Sequence, residues 1–166
     1  MARPGRPNRS DPRVDNLSYD IRDSNNENVK IVLSEVGIEA LDGYQRTSLI
    51  WASFYNNTEL LKWLIDNGAN INHQDRNGFS ALHFAAKEQR YDTAEILINN
   101  KVDLEIKDSN GNTPLIDAIF NSNGDYKIVD LLILSGANLD NVNNHEMTPR
   151  LLAESMAGFN YNLPTT

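Results

Sequence analysis

The sequence predicts an all-α repeat solenoid, a fold in which short helical units stack in a line. Asp42, Asp75 and Asp108 are spaced 33 residues apart, and each opens a segment with the same order of small, apolar and glycine positions. A fixed period of this size is typical of stacked repeats rather than of a globule with one closed core. Each period also carries two apolar patterns at helical spacing, so we expect a helix-turn-helix unit in every copy.

The N-terminal part divides into a tail and a capping repeat. Residues 1–14 contain four arginines and three prolines, a composition that predicts a disordered tail. From residue 15 to 41 the apolar residues recur at helical spacing and stop near Gly37. We interpret this segment as an N-terminal capping repeat that covers the apolar flank of the first full copy.

Three full copies and one truncated copy follow. The full copies are 42–74, 75–107 and 108–142, the last lengthened by two residues within 121–125, and a C-terminal capping repeat with a tail occupies 143–166. A hydroxyl residue precedes the first helix of each copy: Thr47, Ser80, Thr113 and Thr148. Such side chains cap unpaired backbone N–H groups, and a proline directly after them loses no hydrogen bond. Gly68 and Gly136 are the stop signals of the second helices, and the middle copy has Lys101 in place of this glycine.

Laid in register, these segments resemble the ankyrin-repeat family. The family pattern of aspartate, glycine, Thr-Pro-Leu-His, an alanine pair and a late Gly-Ala is best matched from Asp75 (DRNGFSALHFAA) and from Asp108 (DSNGNTPL), and the resemblance extends from Asp42 to Ala157. Gln45 and Glu146 replace the turn glycine, and Arg150 stands where leucine is usual. Atypical residues in terminal copies fit capping repeats. The resemblance implies a non-enzymatic module that binds another protein through a concave face.

Composition narrows the function classes. There is no cysteine, which excludes disulfides, thiolate catalysis and cysteine-ligated zinc and favours a reducing, cytoplasmic location. No apolar run approaches the roughly 20 residues that cross a bilayer, so we expect no membrane contact. After the basic tail, the remaining 152 residues hold 11 Lys and Arg against 22 Asp and Glu. This acidic body argues against nucleic-acid binding and favours a basic protein partner.

The sequence contains no recognisable catalytic, cofactor or metal site. His73, His83 and His145 lie in different copies without metal-ligand spacing, and no serine has a nucleophile-elbow context. For His83 we predict a hydrogen bond to the adjoining turn. An enzyme that uses His83 or Asp117 remains the weakest alternative.

The repeat register predicts the partner-binding residues, which are those of the turn tips and of the outer side of each first helix. They are Tyr44, Arg46, Trp51, Phe54, Tyr55, Arg76, Phe79, Phe84, Lys87, Glu88, Asn112, Phe120 and Asn121. Aromatic residues and arginine are the usual anchors of binding hot spots. Trp51 and Phe84 share one helical position that also fits the core, so both interpretations stay open for them.

Two functional hypotheses follow from this surface. The chain resembles small bacterial ankyrin proteins, including immunity proteins that neutralise a secreted toxin, and the acidic body suits a basic toxin or enzyme. The alternative is a regulatory or scaffolding subunit that holds an enzyme or a transcription factor. In either case we expect a monomer when the partner is absent.

Overall fold

The computed structural model describes residues 11–156, and within this range the chain forms nine α-helices and almost no strand. The helices are α1 Pro12–Arg22, α2 Asn26–Val36, α3 Ser48–Phe54, α4 Thr58–Asp66, α5 Ala81–Lys87, α6 Tyr91–Asn99, α7 Pro114–Phe120, α8 Lys127–Leu134 and α9 Pro149–Ser155. First helices stack on first helices (α1, α3, α5, α7 and α9), and second helices stack on second helices (α4, α6 and α8). The predicted all-α repeat fold is confirmed.

The N-terminal helix begins earlier than the composition predicted. Pro12 is the first residue of α1, and the Asp11 carboxylate caps the helix by accepting the Arg13 N–H at 2.9 Å. Val14, at 5% exposure, is buried with the apolar residues that follow it at helical spacing. Disorder is therefore a wrong prediction for Pro12–Val14, because a helix-starting proline and an apolar stripe outweigh the polar composition. Residues 1–10 of the predicted tail, like residues 157–166, lie outside the described residues.

The periodic aspartates build the turn tips. At each tip, one side-chain oxygen accepts the backbone N–H groups two and four residues later, over 2.7–3.0 Å. The residues that do this are Asp42, Asp75, Asp108 and Asn143. One backbone hydrogen bond then joins each tip to the next, as from Ser109 N–H to the Asn77 carbonyl at 2.9 Å. The 33-residue period is thus the spacing of one hydrogen-bonded turn per stacked unit.

Tight contact between tips explains the turn glycines. Gly78 has φ +80°, and a Cβ placed on it would lie 2.8 Å from the Ser109 nitrogen. Gln45 and Glu146 occupy the same turn position with φ of 62° and 59°. Left-handed backbone costs a non-glycine residue about 1 kcal/mol. These two residues tolerate it in the first and last tips.

The predicted helix caps form in three of the four copies. The hydroxyls of Thr47, Ser80 and Thr148 each accept a backbone N–H three residues later. The prediction is wrong for Thr113, whose Oγ1 is buried without a hydrogen-bond partner in the described residues. Its backbone carbonyl accepts the Ile116 N–H instead, at 3.0 Å.

Small and apolar residues form the core as a strip between neighbouring units. Leu49, Leu82 and Leu115 are at most 1% exposed, and Ala52 and Ala85 are fully buried where adjacent first helices meet. Alanine at that position lets helices approach closely, which brings the first helices and the tips into one continuous surface. None of the helices in residues 11–156 has the length and apolarity needed to cross a membrane.

Candidate partner-binding surface

One side of the solenoid is lined by the turn tips and by the first helices of the copies. We call it the front face, and it consists of residues 42–46, 75–79, 108–112 and 143–147 together with α3, α5, α7 and α9. All thirteen residues predicted for partner binding lie on it or at the first residue after its helices. The structure separates them into residues that serve internal packing and residues that remain accessible.

Five aromatic side chains of the first two full copies form an aromatic cluster: Trp51, Phe54, Tyr55, Phe79 and Phe84. Phe54 meets Tyr55 and Phe84 edge-on, with ring centroids 4.9 and 5.8 Å apart. Phe84 is only 6% exposed, and the other four are half-buried. Of the two interpretations open for Phe84, the structure supports the core, because its ring packs inside the cluster rather than facing solvent.

Arg46 is the cation at the centre of this cluster. Its guanidinium carbon lies 4.7 Å from the Trp51 ring centroid and 4.9 Å from that of Phe84. Its Nε donates to Asp75 Oδ2 over 2.9 Å, and the side chains of Arg46 and Asp75 are 18% and 1% exposed. Arg46 thus joins the first full copy to the second. Its assignment as a surface anchor is corrected, because its charge is already neutralised within the fold.

The accessible predicted residues are distributed over the three full copies. Tyr44 is 61% exposed at the first tip, and Phe120 is 63% exposed on α7. Lys87 and Arg76 are also exposed, and the Lys87 Nζ lies 5.3 Å from the Phe79 ring centroid. Of the remaining predicted residues, Glu88, Asn112 and Asn121 are half-buried.

A first groove of about 620 Å³ lies beside the first tip. Its walls include Tyr44, Trp51 and Tyr55, together with Tyr19 and Asp15 of α1. The α1 residues are absent from the predicted surface because that prediction covers only the tips and first helices of the full copies, whereas Asp15 and Tyr19 belong to the N-terminal capping repeat.

A second groove of about 490 Å³ lies between the third full copy and the C-terminal copy. It is lined by Asn112, Asp117, Phe120 and Asn121, and on the C-terminal side by residues that include Met147. Burial raises the pKa of the Asp117 carboxyl to about 7, the charge of Asp108 adds to the shift, and Lys87 opposes it. The Asp117 Oδ2 atom is buried and has no hydrogen-bond partner in the described residues.

His83 has the structural role predicted for it. Its Nδ1 accepts the Ser80 N–H at 3.1 Å, so the ring proton is on Nε2, which donates to the Asn112 carbonyl at 3.1 Å. Burial lowers the pKa of the His83 imidazole below its ordinary value, although the bond to Asn112 opposes that shift. Both ring nitrogens are occupied, which leaves His83 without a nitrogen to exchange protons with a substrate.

Several acidic residues that we expected to attract a basic partner are used within the fold. Asp108 is 6% exposed and holds its own tip, and Glu105 accepts the Asn138 N–H and the Asn141 side-chain amide. Across residues 11–156, no three acidic or histidine side chains converge as a metal ion would require. Asp108 and Glu105 therefore stabilise the fold itself.

These features define a class of protein: a solenoid of helix pairs with hydrogen-bonded tips and one accessible face built from tips and first helices. A family model described as ankyrin repeats, in three copies, matches residues 17–75 and 49–144. The chain belongs to the ankyrin-repeat family. The family is in general non-enzymatic, and its repeats indicate a protein-protein interaction module.

The relatives with similar sequences are much longer proteins. The chain is 34% identical over 116 residues to serine/threonine-protein kinase 12 of Arabidopsis thaliana and 32% identical over 116 residues to the E3 ubiquitin-protein ligase Ufd4 of Drosophila melanogaster. It is 31% identical over 139 residues to the human neurogenic locus notch homolog protein 1. The matches cover 70%, 68% and 64% of this chain but only 24%, 4% and 5% of those proteins.

Proposed function

We propose that the front face binds one partner protein and that its accessible residues, Tyr44 and Phe120 above all, are the anchors. The observation that carries this proposal is their exposure, 61% and 63%, beside two grooves of about 620 and 490 Å³. Large aromatic side chains next to open grooves are typical of binding hot spots. The charge of the body favours a basic partner, because it raises the rate of encounter with one.

Our first candidate for the biological role is immunity toward a basic toxin in the cytoplasm. The charge imbalance after the tail, 11 Lys and Arg against 22 Asp and Glu, supports it. An immunity role requires a tight one-to-one complex and toxicity when the chain is removed from cells that make the toxin. If deletion of the gene does not impair growth while the partner is expressed, the immunity role is excluded.

A second candidate role is a regulatory or scaffolding unit. It is favoured by the relatives, in which the similar region accounts for 24% of a protein kinase and 4% of a ubiquitin ligase. On this hypothesis the front face holds an enzyme or a transcription factor. It predicts several weaker partners rather than one stoichiometric complex.

The front face itself is tested by removing its two exposed anchors. Tyr44→Ala combined with Phe120→Ala should leave thermal stability close to that of the wild type, because exposed side chains contribute little to folding. The same double variant should no longer capture the partner from the producing cells. The wild type should capture it, and less of it at high salt.

The matched control is Leu134→Ala, which removes an 87% exposed apolar side chain from α8, away from the front face. Capture should persist in this variant. Equal capture by the wild type and the double variant would show that another surface binds, and loss of capture with Leu134→Ala would place the interface on the second helices.

A further inference from the structure

The second groove contains a carboxylate oxygen that no donor of residues 11–156 satisfies. The Asp117 side chain lines this groove beside Phe120, and its buried Oδ2 lacks a hydrogen-bond partner within residues 11–156. An ionised carboxylate in such a place is unfavourable unless a cation or a set of donors reaches it. The groove therefore offers chemistry that the fold does not itself use.

The repeat register shows that folding does not require an acid at this position. Trp51 and Phe84 occupy the same position in the two preceding copies, and Leu152 occupies it in the C-terminal copy. In the preceding copies the position packs rings into the aromatic cluster. An aspartate there takes a ring out of the face and introduces a charge, which leaves an open groove with an acidic wall.

The same molecule shows which group satisfies a carboxylate in this setting. Arg46 places its guanidinium 2.9 Å from Asp75 Oδ2 and across the rings of Trp51 and Phe84. A planar guanidinium suits such a site because it bonds an acid and stacks on an aromatic face at once. In the second groove Phe120 follows Asp117 by three residues on α7, so the two side chains are neighbours on the helix surface.

No cation of the described chain fills this place. Lys87 is the basic residue on the groove wall, but its exposed ammonium lies 5.3 Å from the Phe79 ring centroid and makes no hydrogen bond to Asp117. His145 also lines the groove, at an exposed tip position. Asp117 thus lines the groove without a hydrogen bond from any cation of the described chain.

We propose that the second groove receives an arginine side chain of the partner protein, with the guanidinium on the Asp117 carboxylate and across the Phe120 ring. This inference rests on the proposed function, because it assigns a chemical group to the front face of a protein-binding module. It makes the groove a specificity site, since a partner with a neutral or acidic residue there leaves Asp117 without a counter-ion.

The test uses small probes and does not require the partner to be known. We would titrate the full chain with N-acetyl-arginine amide at pH 8 and constant ionic strength, following the side-chain carboxyl carbons by NMR. The expected result is a saturable shift of the Asp117 signal with a Kd on the order of 1 mM, as befits a ligand of this size. Asp117→Asn should raise the Kd, measured from the shifts of the neighbouring groove residues, about tenfold, because the charged hydrogen bond is lost.

Two control probes decide whether charge and shape are recognised. N-acetyl-citrulline amide has almost the same shape without the charge, and N-acetyl-lysine amide has the charge without the planar fork. Equal binding of the citrulline probe, tighter binding of the lysine probe, or shifts spread evenly over the acidic surface would each overturn the proposal. The citrulline comparison uses the wild type alone, so it tests the arginine site even if Asp117→Asn does not fold. Failure of this test with retained partner capture would refute the arginine site and leave the binding function standing.

Discussion

Replacing Arg46 by alanine should destabilise the solenoid strongly, although a sequence-based account places this residue on the binding surface. The change removes the guanidinium from Asp75, whose side chain is 1% exposed, and from the rings of Trp51 and Phe84. Asp75 Oδ1 keeps two backbone N–H donors, but Oδ2 loses its bond to Arg46. The variant therefore leaves a buried carboxylate partly unpaired and the face of the aromatic cluster uncovered.

The size of the effect follows from this burial. Removing one partner of a buried ion pair costs about 3–5 kcal/mol, and a desolvated cation over an aromatic ring contributes about 2 kcal/mol. Because the backbone donors still stabilise Asp75 and the Arg46 side chain is 18% exposed, we expect the lower end of that range, about 3 kcal/mol. The measurement is urea unfolding followed by circular dichroism, with Arg46→Ala, a control variant and the wild type at the same pH and salt concentration.

Arg22 provides the matched control. It also pairs with a carboxylate, that of Asp23 at 2.8 Å, and it also lies over a ring, that of Tyr19 at 5.5 Å. Its side chain is 51% exposed, however, so Arg22→Ala should unfold at nearly the same urea concentration as the wild type. If Arg46→Ala unfolds at the same urea concentration as Arg22→Ala, the buried pair does not hold the two copies together and the assignment is refuted.

Three further predictions concern packing and protonation. Gly78→Ala should lower the free energy of unfolding in urea by about 3 kcal/mol, and Gly68→Ala by only about 1 kcal/mol. Both glycines have left-handed φ, but only at Gly78 would a Cβ meet the neighbouring tip. Equal losses of stability would contradict the tight contact between tips. The raised pKa of Asp117 means that the folded chain keeps a proton that the unfolded chain has already lost, so the wild type loses stability as the pH rises from about 4 to 7. Asp117→Asn lacks this loss, and its stability relative to the wild type should improve by roughly 2 kcal/mol between pH 5 and pH 8, whereas a pH-independent difference would refute the buried charge. Burial lowers the pKa of His83, so the folded state resists protonation and its stability falls as the pH drops below the ordinary histidine value of about 6.5. NMR should find the ring still neutral just below that pH, and a midpoint at or above 6.5 would contradict the burial of the ring.

The repeat architecture was predictable because its main signals are local. An aspartate that accepts two N–H groups of its own turn must recur once per unit, and the hydroxyl caps and small residues follow at fixed distances from it. Asn143 performs the same role as the aspartates, so the truncated fourth copy was recognisable as well. The start of α1 also has a local signal, Asp11-Pro12, but the arginine- and proline-rich composition around it predicts disorder.

Exposure on the front face was less predictable because it depends on neighbouring copies. Phe84 and Asp117 occupy one repeat position, yet Phe84 is buried among rings and Arg46, while Asp117 lines an open groove. The sequence defines the position, but the side chain stacked on it from the adjacent copy decides whether it is covered. The low exposure of Arg46 was unpredictable for the same reason, because its partner Asp75 belongs to the next copy.

The central claim, that the front face binds a protein, is tested most directly by site-specific photocrosslinking in the producing cells. Benzoylphenylalanine would replace Phe120 in one version of the chain and Leu134 in another, since both side chains are exposed but only Phe120 lies on the front face. We expect a single crosslinked species from position 120 and none from position 134. Crosslinking from position 134 alone, or from neither position under conditions in which the wild type captures a partner, would contradict the account.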